Sequence, residues 1–396
     1  MLSEDFLNKK LEERRRDNAL RQLRLPEGKV DFCSNDYLGI ATKGLIGKAM
    51  TPLREPASLG GSGSLGGLRH GSMGSRLLAG NYALVEETER ALAKFHAARA
   101  GLIFNSGYDA NLGVLSCIPQ KGDTVLYDSL CHASIRDGIR LSFARAFSFA
   151  HNDLVELEKK LTLVSGGTCF VVTESVFSMD GDLAPLREMA ALCRRFNAHL
   201  IVDEAHATGI VGPKGEGLVQ ELGLQEDILA RIHTFGKAVG CHGAVVLGSE
   251  LLRDYLINFS RSFVYTTALP PVSVEAIAAA YRLLPELSTE RERLRRNIVL
   301  FRNADIGYQR LDSPTAIQVV VVPGNEAVKK MATRLQEAGL DVRPILSPTV
   351  PAGSERLRIV LHAFNTDNDL ERLVSVFTET LGNISRPVSG TGLSST

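Results

Sequence analysis

Residues 168–209, TCFVVTESVFSMDGDLAPLREMAALCRRFNAHLIVDEAHATG, contain two short apolar segments that are separated by an amphipathic one. TCFVVTES and AHLIVDEAHATG contain β-branched residues and end in polar ones, whereas PLREMAALCRRFN has the spacing of a helix. Continuously apolar strands that alternate with helices are typical of a mostly parallel sheet covered on both faces. The stretch therefore predicts a β–α–β unit of an α/β protein.

The same alternation extends along the chain from about residue 82. ALVEETERALAKFH predicts a helix, and AGLIFNSG, DTVLYD, ARIHTFGK and GAVVLGS predict strands. After about residue 275, a long polar helix leads into a smaller α+β pattern with TAIQVVVVPG and RLRIVLHA as strands. We predict an N-terminal helix and substrate-lining segment (1–45), a large domain (46–275), a small C-terminal domain (276–384) and a disordered tail (385–396).

The composition excludes several classes of protein. Lysine plus arginine and aspartate plus glutamate both total 45 of 396 residues, so no net charge directs the chain to nucleic acid or to an anionic membrane. The six cysteines have no Cys-x-x-Cys spacing, which fits reduced thiols better than disulfides or a metal site. The charged N-terminus is unlike a signal peptide, and no apolar run reaches the roughly 18 residues of a membrane span. We expect a cytoplasmic protein.

A literal G-x-G-x-x-G stands at Gly61, Gly63 and Gly66. In a dinucleotide site this pattern follows a strand and begins a helix, where the glycines let a pyrophosphate approach the helix N-terminus. Here the preceding residues, TPLREPASLG, include two prolines and no β-branched run. The pattern therefore does not predict a nucleotide site.

Polar residues follow the predicted strands at their carboxyl ends. In open parallel sheets these ends meet at one edge, where ligands bind. Each residue alone also fits a helix cap, a buried core histidine or a solvated lysine, but their coincidence at one edge indicates a site. The strand ends carry Asn105 to Tyr108, Asp128 with His132, Glu174 with Ser178, Asp203 with His206, and Thr234 with Lys237.

The pair Asp203 and Lys237 matches the needs of pyridoxal 5'-phosphate (PLP). PLP acts as an electron sink while its pyridine nitrogen is protonated, and a nearby carboxylate stabilises that charge. A lysine in a glycine-flanked turn, TFGKAVG, can form the Schiff base and later carry a proton. Ser106, Gly107 and Tyr108 at the start of a helix, and the hydroxyl of Thr234, would bind the phosphate.

The chain resembles the α-oxoamine synthases over about residues 30 to 380. SNDYLG, GSMGSRLLAGN, FNSGYDAN, HAS, TESVFSMDGD, VDEAHATG, TFGKA and YTTALPP occur in that family's order. The resemblance implies a fold-type I PLP-dependent transferase that condenses an amino acid with an acyl thioester and releases CO2. It also implies that the glycines before GSRLLAGN form a loop near the active site, although the family usually has a helix where this chain has REPASLGGSGSLGGLRH.

The resemblance implies catalytic roles for Lys237, Asp203, His132 and His206. Lys237 would form the Schiff base, and Asp203 would hold the pyridine nitrogen. His132 would stack on the ring and help to deprotonate the substrate. Ser178 and His206 would contact the cofactor's phenolic oxygen and ring face.

Two further groups of residues follow from the same resemblance. Gly107, Tyr108 and Thr234 match the phosphate site, and Thr266 and Thr267 would reach the phosphate of a neighbouring subunit. This arrangement implies a homodimer whose active sites are shared between subunits.

Asn35 and Arg358 match positions that hold the amino-acid carboxylate, a role that suits the planar fork of arginine. Arg356 would share the strand face of Arg358, and we rank Arg358 first. Thr349 matches a substrate-binding position, and Arg21 matches an arginine near the acyl end.

Within the family, SNDYLG, FAHND and SPTVPAGSERLRIVL most resemble the biotin-pathway members, which join L-alanine to a pimeloyl thioester on CoA or acyl carrier protein. The alternatives are a relative that uses glycine or serine, a PLP aminotransferase or lyase of the same fold, and a catalytically silent binding homologue. Dependence on an acyl thioester separates the synthases from an aminotransferase. The presence of Lys237, His132 and Asp203 argues against the silent homologue.

Overall fold

The computed structural model describes residues 4–23, 25, 28–50 and 70–384. Three of the sequence predictions lie outside the described residues. They are the glycine pattern at Gly61, Gly63 and Gly66, the path of residues 52–69, and the disordered tail 385–396.

The described residues contain twelve strands. They are β1 (Val30–Asp31), β2 (Ala100–Phe104), β3 (Thr124–Asp128), β4 (Arg145–Phe149), β5 (Cys169–Glu174), β6 (Ala198–Asp203), β7 (Ile228–Thr234), β8 (Ala244–Gly248), β9 (Ile317–Val321), β10 (Leu340–Asp341), β11 (Arg343–Ile345) and β12 (Arg356–Val360).

Fourteen α-helices lie among them in the described chain. They are α1 (Asp5–Arg16), α2 (Leu45–Ala49), α3 (Ala83–Phe95), α4 (Gly107–Cys117), α5 (Ala133–Leu141), α6 (Leu154–Thr162), α7 (Leu186–Arg195), α8 (Leu218–Glu221), α9 (Glu250–Phe259), α10 (Arg261–Val264), α11 (Pro271–Leu283), α12 (Ser288–Asn303), α13 (Asn325–Glu337) and α14 (Asp367–Ile384). None of these described helices has both the length and the apolar character needed to cross a membrane.

A seven-stranded sheet in the order β2-β8-β7-β6-β5-β3-β4 forms the centre of the larger unit. The pairs from β7 to β4 are parallel, whereas β8 runs antiparallel to both β2 and β7. The predicted α/β class with a mostly parallel sheet is therefore confirmed. Successive residues of a strand serve opposite faces: Val125 packs in one buried cluster and Leu126 in another, as do Phe170 and Val171.

Helix α7 illustrates how the sequence pattern becomes packing. Its buried residues, Leu186, Met189, Ala190 and Cys193, recur at the three- and four-residue spacing that puts them on one face of a helix. Burying each large apolar side chain contributes about 1.5–3 kcal/mol, so this face attaches α7 to the sheet between β5 and β6.

Two compact units divide the chain. One contains residues up to Ser34, Met179–Gly181 and the residues from Glu292 onward, and the other contains Asn35–Ser178 and Asp182–Arg291. These divisions differ from the predicted domain boundaries at 45/46 and 275/276. In the first unit, β1 pairs with β10, and β11, β12 and β9 form an antiparallel sheet.

The sequence patterns missed or misplaced some elements. Of the first 25 residues, whose charged and apolar spacing predicts one amphipathic helix, only Asp5–Arg16 form α1. Strand β4 was not predicted, since it lies at the sheet edge and four of its five residues are exposed. An edge strand lacks the continuous apolar run by which the buried strands were identified.

Candidate active site

Asp203 ends β6 directly beside Glu174, which ends β5. The Asp203 side chain is buried, and both of its oxygens accept hydrogen bonds: Oδ2 from Asn111 Nδ2 at 2.7 Å and Oδ1 from the backbone N–H of Ala205 at 2.8 Å. These donors stabilise a carboxylate in a fixed orientation at the end of the sheet.

His132 lies next to this carboxylate pair. Its backbone N–H donates to Glu174 Oε1 at 2.6 Å, and its side chain caps α5 by accepting from the backbone N–H of Ser134. Burial lowers the pKa of His132; the charge of Asp203 raises that pKa and the charge of Lys237 lowers it. Burial and the negative charge of Asp203 raise the pKa of Glu174.

A continuous chain of hydrogen bonds joins Asp203 to His132. Asn111 Nδ2 donates to Asp203 and also to Ser134 Oγ at 3.0 Å, and Ser134 Oγ lies 2.8 Å from His132 Nδ1. Asn111 and Ser134 are both buried. Asp203 and His132, which were predicted from the strand ends, are thus connected through Asn111 and Ser134, for which the sequence predicted no role.

His206 is held by a residue that the sequence analysis did not identify. The hydroxyl of Tyr37 lies 2.6 Å from His206 Nδ1 and donates to Asn35 Oδ1 at 3.2 Å. Tyr37 is fully buried, and the centroids of its ring and of the His206 imidazole lie 6.2 Å apart in an edge arrangement. The predicted residues Asn35 and His206 are therefore brought to the same tyrosine.

Lys237 follows β7 in a turn that is closed by a 2.8 Å hydrogen bond from the backbone N–H of Gly240 to the carbonyl of Lys237. The lysine is half-buried. Because Lys237 comes soon after the end of β7, it lies at the carboxyl edge of the parallel strands, and its positive charge lowers the pKa of His132 and of Glu174.

Thr234, the last residue of β7, is buried, and within the described residues its Oγ1 has no hydrogen-bond partner. The first residue of α4, Gly107, lies against it: a Cβ on Gly107 would be 2.4 Å from Thr234 Cγ2. The Thr234 side chain, which carries the unpartnered hydroxyl, thus contacts a helix N-terminus through its methyl group, and backbone N–H groups at such an end attract anions.

The two neighbours of Gly107 are already engaged. Ser106 caps α4: its Oγ accepts from the backbone N–H of Asp109 at 3.0 Å and donates to Asp109 Oδ2 at 2.8 Å. Tyr108 is partly exposed, and its hydroxyl donates to Asp137. That hydrogen bond raises the pKa of Tyr108.

Thr266 and Thr267 lie beside the end of β2. Asn105 Nδ2 donates to Thr266 Oγ1 at 3.0 Å and to the carbonyl of Thr267 at 2.8 Å. Ser178 is half-buried, and its backbone N–H donates to Glu174. These contacts hold the side chain of Thr266 and the backbone of Thr267 and Ser178, three predicted cofactor residues.

At the end of β3, Asp128 pairs with His151, although its position in the sequence suggested His132 as its neighbour. Asp128 is buried and contacts His151, whose Nδ1 lies 3.0 Å and 3.2 Å from the two carboxylate oxygens. His151 Nε2 lies 2.7 Å from Asp182 Oδ2. Burial lowers the pKa of His151, but the hydrogen bonds and charges of the two carboxylates outweigh burial and raise the pKa to about 10.

In the smaller unit, Arg358 lies in the middle of β12, opposite Arg343 of β11. Arg343 is engaged by Asp341 in two hydrogen bonds of 2.6 Å and 3.0 Å. Arg356 forms an ion pair with Asp180. The ranking of Arg358 above Arg356 as the carboxylate ligand stays a prediction, but Arg356 has a structural partner of its own.

Arg21 and Thr349, predicted separately as substrate residues, contact each other. Arg21 Nη2 donates to Thr349 Oγ1 at 3.4 Å, and both side chains are exposed. A long hydrogen bond between exposed groups is weak. Both side chains can therefore turn to a ligand at little cost.

The larger unit fits PLP by its own chemistry. A buried carboxylate held by two donors is suited to a pyridinium proton, and the unpartnered Thr234 hydroxyl beside the N-terminus of α4 is suited to a phosphate. Lys237 supplies a half-buried amine at the same sheet edge. Asp203, Thr234, Gly107 and Lys237 would hold the cofactor.

Comparison with known proteins agrees with this chemistry. The sequence profile of the family described as aminotransferase class I and II matches residues 27–377. The chain is 42% identical over 386 residues to the 8-amino-7-oxononanoate synthase of Emericella nidulans, covering 91% of this chain and 92% of that protein.

Two solved structures are similar over most of their length. The serine palmitoyltransferase of S. paucimobilis with PLP and myriocin bound has a TM-score of 0.83 at 28% identity, covering 96% of this chain and 98% of that chain. The 8-amino-7-oxononanoate synthase of Francisella tularensis has a TM-score of 0.74 at 28% identity, with 90% and 99% covered.

Proposed function

This chain belongs to the aminotransferase class I and II family and, within it, to the PLP-dependent α-oxoamine synthases, and we propose that it makes 8-amino-7-oxononanoate for biotin biosynthesis. A carbon–carbon bond forms between Cα of L-alanine and the carbonyl carbon of a pimeloyl thioester. The carbon–sulfur bond breaks and the sulfur leaves as the free thiol, while the alanine carboxyl group leaves as CO2. The observation that carries the proposal is the 42% identity to a synthase of this name over 91% of the chain.

When bound, PLP supplies an electron sink for the bonds that break at Cα of the amino acid. Asp203 holds the proton on the pyridine nitrogen, and Asn111 and the N–H of Ala205 keep that carboxylate in place. Lys237 would hold the cofactor through its amine, and its Nζ would carry a proton to or from the substrate. The N-terminus of α4 and Thr234 Oγ1 bind the phosphate.

The remaining assigned roles concern the substrate and the ring. His132 and His206 would contact the cofactor ring, and Tyr37 holds the imidazole of His206. Arg358 binds the carboxylate of the amino acid through its planar fork, assisted by Asn35. Arg21 and Thr349 face the acyl chain.

We also propose a homodimer in which Thr266 and Thr267 reach the phosphate of the other subunit. The exposure of Thr267 and the half-burial of Thr266 support this role, and Asn105 holds both residues by donating to Thr266 Oγ1 and to the carbonyl of Thr267. The proposed compartment is the cytoplasm, because all six cysteines are free thiols.

A serine-using synthase is the second candidate, because serine palmitoyltransferases have the higher TM-score, 0.83 against 0.74. Sequence supports alanine through the 42% identity to the Emericella nidulans 8-amino-7-oxononanoate synthase, whereas the solved serine palmitoyltransferase and the solved Francisella tularensis synthase are both 28% identical and do not separate the two candidates. Backbone similarity reports the shared fold, whereas substrate choice depends on side chains.

Competition between amino acids tests the proposal. Purified enzyme receives a pimeloyl thioester on CoA or on acyl carrier protein with L-alanine, glycine or L-serine, and kcat/KM is measured by thiol release and product mass. We expect alanine to be preferred, although one methyl group separates it from glycine by no more than about 1–3 kcal/mol. Preference for glycine or serine by about ten-fold contradicts the proposal, and turnover without any thioester indicates an aminotransferase.

A further inference from the structure

Two hydrogen-bond donors converge on Nδ1 of His132. The backbone N–H of Ser134 lies 3.2 Å from this nitrogen, and Ser134 Oγ lies 2.8 Å from it. A backbone N–H can only donate, so Nδ1 must accept. In a neutral imidazole one nitrogen accepts and the other carries the hydrogen. The hydrogen of His132 therefore belongs on Nε2.

Asn111 determines which way the Ser134 hydroxyl points. Its amide nitrogen faces the Asp203 carboxylate at 2.7 Å, an orientation fixed by charge because the amide oxygen would be repelled there. The second hydrogen of this nitrogen is donated to Ser134 Oγ at 3.0 Å. Ser134 Oγ thus accepts from Asn111, and because Nδ1 of His132 has no hydrogen to donate, the hydroxyl hydrogen of Ser134 points to that nitrogen.

We propose that Asn111 and Ser134 are positioning residues that fix His132 as the neutral tautomer with its hydrogen on Nε2, so that His132 serves the reaction as a hydrogen-bond donor and not as a base. This inference rests on the proposed function for the identity of the reacting groups. A nitrogen that already carries a hydrogen cannot accept one, and Nδ1 is occupied by two donors. Proton transfer at the substrate Cα is then left to Lys237.

The helix cap and burial favour the neutral state of the His132 ring. Protonating His132 would put a hydrogen on Nδ1 against the Ser134 N–H and remove the cap of α5. Burial also disfavours the charged ring and lowers its pKa. The titratable and charged groups that act on His132 are Glu174 of β5, Asp203 of β6, Lys237 after β7, and Arg136 and Asp137 of α5.

Nitrogen-15 NMR of the PLP-loaded enzyme tests the tautomer without reference to turnover. The protein is labelled in its histidine rings, and the His132 resonances are assigned by their loss in His132→Gln. We expect Nδ1 of His132 to resonate as a bare acceptor and Nε2 as a protonated nitrogen near pH 8, and the ring to become charged only below the pH at which an ordinary histidine does, about 6.5. A hydrogen on Nδ1 near pH 8, or a ring that is doubly protonated above about pH 6.5, overturns the proposal.

Variants of Ser134 and Asn111 test whether these two residues set the protonation state of His132. Ser134→Ala removes one donor to Nδ1 and is expected to raise the pKa of His132 by about half to one unit, the equivalent of one hydrogen bond. Ser134→Thr keeps the hydroxyl and is the matched control, with no shift expected. Asn111→Ala should shift the pKa the same way by less, because the hydroxyl is then free to turn.

An unchanged pKa of His132 in folded Ser134→Ala overturns the assignment to Ser134. If that variant does not fold, the wild-type tautomer still decides the proposal. The acid limb of the kcat/KM profile should move with the NMR pKa. A different preferred amino acid would contradict the proposed function and leave the NMR result intact, so the two failures are distinguishable.

Discussion

A methyl group added at Gly107 would lie 2.4 Å from Cγ2 of Thr234, closer than any packed carbon pair. The first residue of α4 and the last residue of β7 are therefore in contact through a space that only glycine leaves open. Thr234 is stiff at χ1, so a clash at its methyl group also moves Oγ1, the hydroxyl proposed to bind the phosphate.

Gly107→Ala should weaken PLP binding about ten-fold or more, because it displaces Thr234 or the N-terminus of α4. The measurement is the dissociation constant for PLP by absorbance titration of the apoprotein. Gly47→Ala is the matched control, since a Cβ at that helical position meets nothing within 4 Å. Equal PLP affinity in both variants would refute the role of this contact.

Asp203→Asn should reduce PLP affinity and slow exchange of the substrate α-proton with solvent by about ten- to a hundred-fold. The amide cannot stabilise the pyridinium charge, and a charge-assisted hydrogen bond of about 1.5–3 kcal/mol is lost. Deuterium exchange into alanine, followed by NMR without thioester, measures the effect. Asp312→Asn, at an exposed aspartate paired with Arg302, is the control. Unchanged exchange would remove Asp203 from this role.

Lys237→Ala should abolish turnover while the far-ultraviolet circular dichroism and Tm stay close to wild type, because the side chain is half-buried in a turn. Borohydride should attach the cofactor covalently to the wild type and not to the variant, as peptide mass analysis would reveal. Cofactor found on another lysine after reduction of the wild type would reassign the residue.

Arg358→Gln and Arg356→Gln should have different consequences. The first should lower kcat/KM for alanine by about ten- to a hundred-fold, through loss of carboxylate binding. The second should lower Tm, because Arg356 pairs with Asp180 and donates from Nε to the carbonyl of Ser354 at 2.9 Å, and should lower kcat/KM for alanine less than the first. A larger loss of kcat/KM in Arg356→Gln than in Arg358→Gln would exchange the two assignments.

His151→Gln should lower the free energy of unfolding by about 1–3 kcal/mol near neutral pH, since charged hydrogen bonds to Asp128 and Asp182 are lost. The pKa of His151 is raised from about 6.5 to about 10, so its contribution is complete below about pH 6.5 and is lost as the pH rises through 10.

The difference in Tm between wild type and His151→Gln should accordingly shrink toward pH 10. His199→Gln, at an exposed position near the start of β6, provides the control and should show no such trend. A difference that stays constant with pH would mean that His151 is not charged in the folded protein.

Strand positions and the edge that carries the site could be predicted from the sequence, because buried parallel strands leave continuous apolar runs that end in polar residues. Asp203, Thr234 and Lys237 follow from that rule alone. The reversed direction of β8 could not be predicted, since an apolar run such as GAVVLGS has the same appearance in either orientation.

The residues that hold the site together were less visible. Asn111 and Ser134 lie inside helices, where polar residues usually face solvent, and only their three-dimensional contact with Asp203 and His132 gives them a role. Tyr37 lies in SNDYLG, where neither residue spacing nor a strand end indicates a role for it. Asn111 lies four residues, one helical turn, after Gly107, and this spacing was the one signal that could have identified it.

The pairing of β1 with β10 has a consequence for biosynthesis. Val30 lies opposite Leu340, so the first strand leaves the ribosome long before its partner exists. The larger unit, whose residues run from Asn35 to Arg291 apart from a three-residue interruption, can complete its sheet during translation. The residues around Asp31 and Cys33 must wait, unpaired, until almost the whole chain has been made. A stalled or truncated polypeptide would thus carry a finished sheet and an N-terminal strand without a partner. Such a partly folded chain is a substrate for chaperones and proteases.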